Sequence, residues 1–131
     1  MKNLYLILLI LAIACKKDDS LTNPILGKWF LAESEYGTGS GFNIYHPEPA
    51  RPISIEFRND GKFSIDTQYV YSNFQASVMH FDRYRLQSDT LTFYSTSRNE
   101  ELKVLMELDQ KLYLYTLGCR ESCIDKFQRR F

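Results

Sequence analysis

Two histidines, His46 and His80, carry the side chains of this chain that are best suited to metal binding or proton transfer near neutral pH. Asp82 follows His80 by two positions, so these three residues could in principle hold a transition metal. His46, however, lies in a loop-like stretch beside Pro47 and far along the chain from His80. Because solvated histidines are much commoner than such ligand sets, we predict neither a metal site nor a cofactor.

The sequence also lacks the local patterns of common catalytic sites. No serine lies in a G-x-S-x-G nucleophile elbow, and no pair of carboxylates is marked by its spacing as an acid and a base. Gly37, Gly39 and Gly41 form a G-x-G-x-G run, but the strand, helix and lysine of a phosphate-binding loop are missing around it. We therefore predict that the chain is not an enzyme and that these glycines give a flexible connection.

Length and charge limit the partners and the number of domains. The chain has 131 residues, of which 16 are Lys or Arg and 16 are Asp or Glu, so bulk charge does not favour nucleic acid or another polyanion. A chain of this length buries enough surface for one core, and the 15% aromatic content favours β-structure. We predict one domain over residues 25–131 that binds no nucleic acid.

Residues 1–14 have the features of a secretory signal, with Lys2 followed by a short apolar run that ends in small residues. The run is shorter than the about 20 apolar residues of a transmembrane helix, and we expect a signal-peptide helix. The segment Ala12-Ile13-Ala14-Cys15 resembles the lipobox of bacterial lipoproteins. The resemblance implies that Cys15 is the lipidated first residue and that it anchors the protein to the membrane, because two or more acyl chains make anchoring stable.

Residues 15–24 would then comprise the lipidated cysteine and a short polar tether. The charged run at residues 16–19 resembles the tag that directs some Gram-negative lipoproteins to the outer face of the outer membrane, and a simple solvated tether accounts for it equally well. The expected location is therefore the bacterial outer membrane, with the domain lipid-anchored and facing either the periplasm or the cell surface.

Cys119 and Cys123 remain once Cys15 is assigned to lipid, and an oxidising envelope favours a disulfide between them. In an extended strand their Cα atoms would be about 13 Å apart, beyond the roughly 7 Å limit for a disulfide. We therefore predict a tight loop that joins the last two strands. The alternative is a redox or zinc site, but redox pairs are typically C-x-x-C and two further zinc ligands are missing nearby.

The rest of the chain alternates apolar and polar residues, the pattern of half-buried strands. Three hairpins are indicated, at residues 53–57 with 63–65, 84–86 with 91–93, and 102–108 with 112–115. A first strand at residues 27–31, a closing strand at 126–131 and less certain strands at 68–71 and 77–81 complete an all-β, antiparallel up-and-down meander. We expect about eight strands to close into a barrel, because closure buries the apolar faces and removes exposed edges.

The long connection at residues 33–52 contains three glycines and three prolines. Loops of this length in a compact domain are usually functional or disordered. We predict a lid over one mouth of the barrel, with Phe42, Tyr45 and His46 as ligand contacts. The alternative is a mobile excursion that contacts no ligand.

Gly27-Lys28-Trp29 on the first strand resembles the opening motif of the lipocalins, and the hairpins that follow are similar to the short lipocalin-like domains of bacterial lipoproteins. The resemblance covers residues 25–131 and implies a lipocalin-like β-barrel. It also implies that an arginine of the last strand packs across Trp29 in a cation–π contact. Arg129 is preferred over Arg130 because it shares the apolar face of that strand.

The resemblance further implies a function, the binding of a small apolar or amphipathic ligand at the barrel mouth. Phe42, Tyr45, His46 and Trp29 are the candidate contacts. An eight-stranded barrel is narrow enough for side chains to fill it. The alternative is therefore a non-catalytic envelope interaction or structural module with a side-chain-filled barrel.

Overall fold

The computed structural model describes residues 23–37, 39–66, 68, 70, 72–117 and 123–130. The predicted signal peptide, Cys15 and Cys119 lie outside the described residues, so the predictions made for them stay predictions. The strands are β1 Gly27–Gly37, β2 Phe42–Tyr45, β3 Ser54–Phe57, β4 Phe63–Ile65, β5 Arg83–Gln87, β6 Thr90–Tyr94, β7 Glu101–Leu108, β8 Leu112–Thr116 and β9 Cys123–Gln128, and the helix α1 is Asn73–Val78.

The strands form one antiparallel sheet in the order β4-β3-β1-β9-β8-β7-β6-β5, and β2 pairs with the second half of β1. The strands at the two ends of this order, β4 and β5, lie close to each other. Lys62 and Arg83 form an isolated bridge between them, and Tyr84 N donates to Gly61 O at 2.9 Å. Eight strands therefore nearly close into a barrel. The predicted all-β, antiparallel fold is confirmed.

The three predicted hairpins are present, and the positive φ predicted for Gly61 is observed. Gly61 has a φ of 76° in the β3–β4 turn, and Ser88 has a φ of 54° in the β5–β6 turn. Glycine adopts this left-handed conformation without a Cβ clash. Period-two alternation and turn chemistry were thus sufficient to locate these three pairs of strands.

The strands predicted at residues 68–71 and 77–81 are wrong. The described residues Gln68 and Val70 belong to no strand, and the second segment begins inside α1. Ser72 caps the helix, since its Oγ accepts from Gln75 N at 3.0 Å. Phe74 and Val78, one turn apart, are both fully buried, so the short helix closes one end of the barrel.

The connection predicted at residues 33–52 is largely a second hairpin. β1 continues to Gly37, and β2 returns along it with Ser34 opposite Tyr45. Gly39 and Gly41, at φ 77° and 145°, provide the turn. The predicted lid is therefore a hairpin of the sheet, formed by the end of β1 and by β2, which we call the β1–β2 arm. The glycines form the turn between these two strands and do not belong to one long flexible loop. The last strand also differs from the prediction, since β9 begins at Cys123 and ends at Gln128.

Side chains fill the interior of the barrel. The ring of Phe93 lies 4.8 Å from that of Phe63 and 5.5 Å from that of Phe74 between centroids, both edge-to-face. Phe57 and Phe127 extend this aromatic cluster, and each is about 1% exposed. Aromatic pairs of this kind add about 0.5–1.5 kcal/mol each beyond their buried area. A ligand would therefore have to bind at an end of the barrel.

Within the described ranges, no helix is long and apolar enough to cross a lipid bilayer.

Candidate ligand-binding site

A β-bulge in β1 decides which side chains face the mouth of the barrel, the end at which β1 finishes and β9 begins. Leu31 lies opposite Phe127 and Glu33 lies opposite Lys126, so Ala32 is an extra residue in β1. A bulge of this kind re-aims the side chains that follow it. Ser34 is consequently turned inward and buried, directly opposite Asp125.

Asp125 is a carboxylate on the apolar face of β9, next to Phe127, and is only 2% exposed. Its carboxyl forms hydrogen bonds with the side chains of Ser34 and Ser72. Ser72 Oγ already accepts from the backbone of α1, so its proton is available to Asp125. A carboxylate, two strands and a helix start therefore meet at one point.

One oxygen of this carboxylate, Asp125 Oδ1, is buried and has no hydrogen-bond partner among the residues that the structure describes. Both serine hydroxyls must then bind Oδ2. Burial raises the pKa of Asp125 from its ordinary 3.8 to about 6, against the opposing effect of the two serine hydrogen bonds. An unsatisfied buried acceptor costs about 1–3 kcal/mol and more when charged, so Oδ1 is a site at which a donor would bind favourably.

Asp125 lies at the floor of a cavity of about 270 Å³. The cavity is slightly below the range of about 300–1,000 Å³ that is typical of pockets for drug-sized ligands. Its lining combines polar groups with aromatic and aliphatic walls, and comprises Ser34, Glu35, Tyr36, Tyr45, Val70, Ser72, Asn73, Ala76, Cys123 and Asp125. We call it the mouth pocket.

The second carboxylate of the mouth pocket, Glu35, is paired outside it. Lys126 Nζ lies 3.5 Å from Glu35 and also forms a close ion pair with Glu33. The hydrogen bond from Lys126 lowers the pKa of Glu33, and the same bond raises the pKa of Lys126. Glu35 thus has a cation beside it, whereas the partners of Asp125 among the described residues are two hydroxyl groups.

The predicted ligand contacts do not all come together. Tyr45 lines the mouth pocket. His46 follows it, and its Nδ1 lies 3.3 Å from Ala32 O at the bulge. Phe42 lies farther along the arm, is 64% exposed and is not among the residues that line the pocket.

Trp29 does not line the mouth pocket, because it is buried near the opposite end of the barrel. Its indole Nε1 donates to Ile25 O at 2.8 Å, and its ring lies under the guanidinium of Arg129, 4.5 Å from Cζ to the ring centroid. Arg129 Nη2 also donates to Leu26 O at 2.9 Å. The contact predicted between Trp29 and Arg129 is therefore present, in a structural position that closes the base of the barrel.

The histidines and Asp82 are not assembled into a metal site. Asp82 accepts hydrogen bonds from the backbone and hydroxyl groups of Thr96, each at 2.9 Å, and His80 packs its ring 4.4 Å from that of Phe81. Across the described part of the chain, no group of three potential metal ligands is found.

A second cavity, of about 520 Å³, lies at the base of the barrel. Its lining is formed by hairpin turns and strand ends, namely Asn23, Pro24, Asn59, Gly61, Tyr84, Arg85, Leu86, Ser88 and Met106. None of these described residues has a buried side-chain polar atom without a partner. The base cavity therefore offers less chemical selectivity than the mouth pocket, although it is larger.

Asp125, Ser34 and Ser72 were absent from the sequence predictions. Two signals in the sequence point to them. The alternation of the last strand, extended back from Phe127, places Asp125 on the apolar face, and the pattern Ser72-x-x-Gln75 is that of a helix-capping box. Ser34 has no comparable signal, because the bulge breaks the alternation before it.

No protein-family model matches the chain, and no curated protein or solved structure matches it significantly.

Proposed function

We propose that this chain is a lipocalin-like lipoprotein of a bacterial envelope and that it binds a small amphipathic ligand in the mouth pocket. The observation that carries the binding proposal is the buried, unpartnered Asp125 Oδ1 at the floor of a small cavity. A polar floor fixes the orientation of a ligand, while Tyr36, Tyr45 and Val70 supply apolar walls. The ligand is small, because the aromatic cluster occupies the barrel interior.

Small aromatic probes test this proposal directly. 2-Phenylethanol has about nine non-hydrogen atoms, and at about 0.5 kcal/mol per atom it should bind with a Kd near the millimolar range. Two-dimensional NMR of isotope-labelled protein detects binding of this strength. We expect the amide signals of Ser34, Tyr45 and Asp125 to shift in a saturable way, and those at the base of the barrel to stay in place.

A blocking variant locates the binding site. Ala76 lines the mouth pocket from the exposed face of α1, so Ala76→Trp should fill it without disturbing the core and should abolish the shifts. Met79→Trp adds the same bulk to an exposed position of the same segment that does not line the pocket, and should bind the probe as the wild type does. Unchanged binding by Ala76→Trp would place the ligand elsewhere.

The second candidate function is a non-catalytic envelope interaction or structural module. Two observations favour it, the filled interior and the exposed apolar side chains of the β1–β2 arm, since Phe42 and Ile44 are 64% and 56% exposed. In this case the probes would not bind at the mouth. Phe42→Ser together with Ile44→Ser would instead weaken association with a partner recovered by cross-linking in intact cells.

The lipid anchor is tested by Cys15→Ala. Without the acylated residue the domain should be released from membranes, because the polar residues 16–24 have no affinity for lipid on their own. Fractionation of cells that express either form gives the readout. Continued membrane association of the variant would contradict the lipobox assignment.

The proposed disulfide between Cys119 and Cys123 closes the connection between β8 and β9, beside the mouth pocket that Cys123 lines. The loop is short, so the bond would contribute roughly 2 kcal/mol in the chain-entropy model. Alkylation of folded protein without reductant, followed by mass analysis, should leave both residues unlabelled. Labelling of Cys119 would show that the pair is reduced.

A further inference from the structure

The charged groups of the mouth pocket are of one sign. Asp125 and Glu35 are both carboxylates, and no lysine, arginine or histidine is among the described residues that line the pocket. Glu35 is compensated by Lys126. The remaining, uncompensated group is Asp125, whose Oδ1 faces no donor within the described ranges.

We infer that the ligand of the mouth pocket carries a protonated amine, which binds Asp125 Oδ1 while the apolar part of the ligand packs against Tyr36 and Tyr45. This inference rests on the proposed binding function and specifies its ligand class. The acceptor residue and both rings line one cavity, and because Oδ1 itself is buried, binding requires a small adjustment of the side chains around Asp125.

An ammonium group fits this pocket better than the other polar groups that a small ligand could present. An anion would be repelled by the uncompensated charge of Asp125. A hydroxyl group would satisfy Oδ1 but would leave the buried charge uncompensated. An ammonium group supplies the hydrogen bond and the opposite charge together, and such charge-assisted bonds are about twice as strong as neutral ones.

The walls of the pocket favour a cation as well. Tyr36 and Tyr45 both line it, and the faces of tyrosine rings attract ammonium groups within about 6 Å. Tyr36 is 37% exposed, so its ring is at the rim and available to a ligand. The carboxylate of Asp125 and the rings of Tyr36 and Tyr45 therefore all favour an amine as the ligand.

Binding of an amine should depend on pH through Asp125. The titratable groups that line the pocket with it are Glu35 and Tyr36 on β1 and Tyr45 on β2. Cys123 on β9 does not titrate in the proposed disulfide, and β8 and α1 present Leu114 and Asn73, which do not titrate. The pKa of Asp125 is about 6. An amine with a pKa near 10 stays charged throughout, so its affinity should rise as pH rises through about 6 and Asp125 ionises.

Two probes of one skeleton provide the test. At about pH 7.5, 2-phenylethylamine should bind at least about tenfold more tightly than 2-phenylethanol, because the charge-assisted bond adds to the same aromatic contacts. Asp125→Asn should reduce binding of the amine to the level of the alcohol and change binding of the alcohol by less than about threefold. Glu56→Gln is the control, because it removes a carboxylate from the exposed face of β3 at a position that does not line the pocket. It should leave binding of both probes unchanged.

The possible outcomes separate the two proposals. If the alcohol binds at the mouth and the amine binds no more tightly, or if Asp125→Asn leaves binding of the amine unchanged, the inference is overturned and the binding function stands. If neither probe binds, both fail. If Asp125→Asn does not fold, the pH dependence of binding by the wild-type protein still tests the inference. The ratio of amine to alcohol affinity should fall about tenfold from about pH 7.5 to 4.5, and a constant ratio overturns the inference.

Discussion

Asp125→Asn should change how the stability of the barrel depends on pH. In the folded protein, burial raises the pKa of Asp125 from 3.8 to about 6. The folded state therefore holds a proton that the unfolded state has lost between these two values. The resulting stabilisation is fully present below about pH 3.8 and is lost as pH rises through about 6. This difference in pKa corresponds to about 3 kcal/mol, at about 1.4 kcal/mol for each pH unit.

The assay is urea denaturation of both proteins, without ligand, at a series of pH values from about 4 to 7.5. The free energy of unfolding of Asp125→Asn, relative to the wild type, should increase by about 2.5 kcal/mol from about pH 4 to 7.5, because asparagine stays neutral; the rest of the about 3 kcal/mol falls below about pH 4. The carboxyls of Glu33, Asp60 and Asp82 have lowered pKa values, each owing mainly to a hydrogen bond. Their stabilisation is lost as pH falls, and it is common to both proteins, so it cancels in the difference.

The form of the difference curve is as informative as its size. It should be steepest between about pH 4 and 6 and level above about pH 7, where the carboxyl is ionised in both states. Parallel pH profiles for the two proteins would refute the reasoning, since Asp125 would then titrate in the folded protein as it does in water. A pH-independent difference in the free energy of unfolding, added to the pH-dependent one, would not bear on the pKa of Asp125. Such a difference reports only how the amide packs against the serine hydroxyls.

Three further predictions concern the scaffold, each measured by urea or thermal denaturation. Arg129→Ala should lower the free energy of unfolding by about 1–2 kcal/mol, because the guanidinium stacks on Trp29 and donates to a backbone carbonyl at 2.9 Å. Arg130→Ala removes a cation–π contact with Phe30 and should cost about 0.5 kcal/mol; equal costs would contradict the role given to Arg129. Gly61→Ala should cost about 1 kcal/mol or more, because its φ of 76° strains any residue with a Cβ; an unchanged stability would show that the turn relaxes. Phe74→Ala should cost about 3–5 kcal/mol, since the ring is fully buried in the aromatic cluster, and a loss below about 1 kcal/mol would mean that the end of the barrel is not packed as described.

The hairpins could be predicted from the sequence because their signals are local. A strand shows its buried face by alternation over four or five residues, and Gly61 or Ser88 marks the turn between two such segments. The helix gave no such signal. Only Phe74 and Val78 repeat at helical spacing, and one pair of this kind is compatible with strand or loop. Its start was nonetheless marked by the sequence pattern Ser72-x-x-Gln75, and Ser72 Oγ accepts from Gln75 N in the structure.

The candidate site was harder to predict than the fold, because its residues depart from the local pattern. Asp125 was missed because the last strand was begun at Lys126, so the alternation was never extended back to the carboxylate. The resemblance to lipocalins places Trp29 among the candidate ligand contacts, and only the register with β3 shows that it lies at the base. Charge and hydropathy indicate on which face of a strand a side chain lies. The end of the barrel at which it lies depends on pairing between distant segments of the chain.

Three local irregularities converge on the mouth pocket. The bulge at Ala32 places Ser34, instead of Glu33, on the inner face of β1. Ser72, which caps α1, also forms a hydrogen bond with the carboxylate of Asp125. Asp125 itself lies on the apolar face of β9. The buried carboxylate costs stability at neutral pH, because burial disfavours its charged form. Sequences generally keep local preference and fold in agreement, and exceptions concentrate where a protein has another task. These three features lie in separate elements around one oxygen that has no partner among the described residues. They support the proposed ligand, because an apolar residue at position 125 would fill the same space at lower cost.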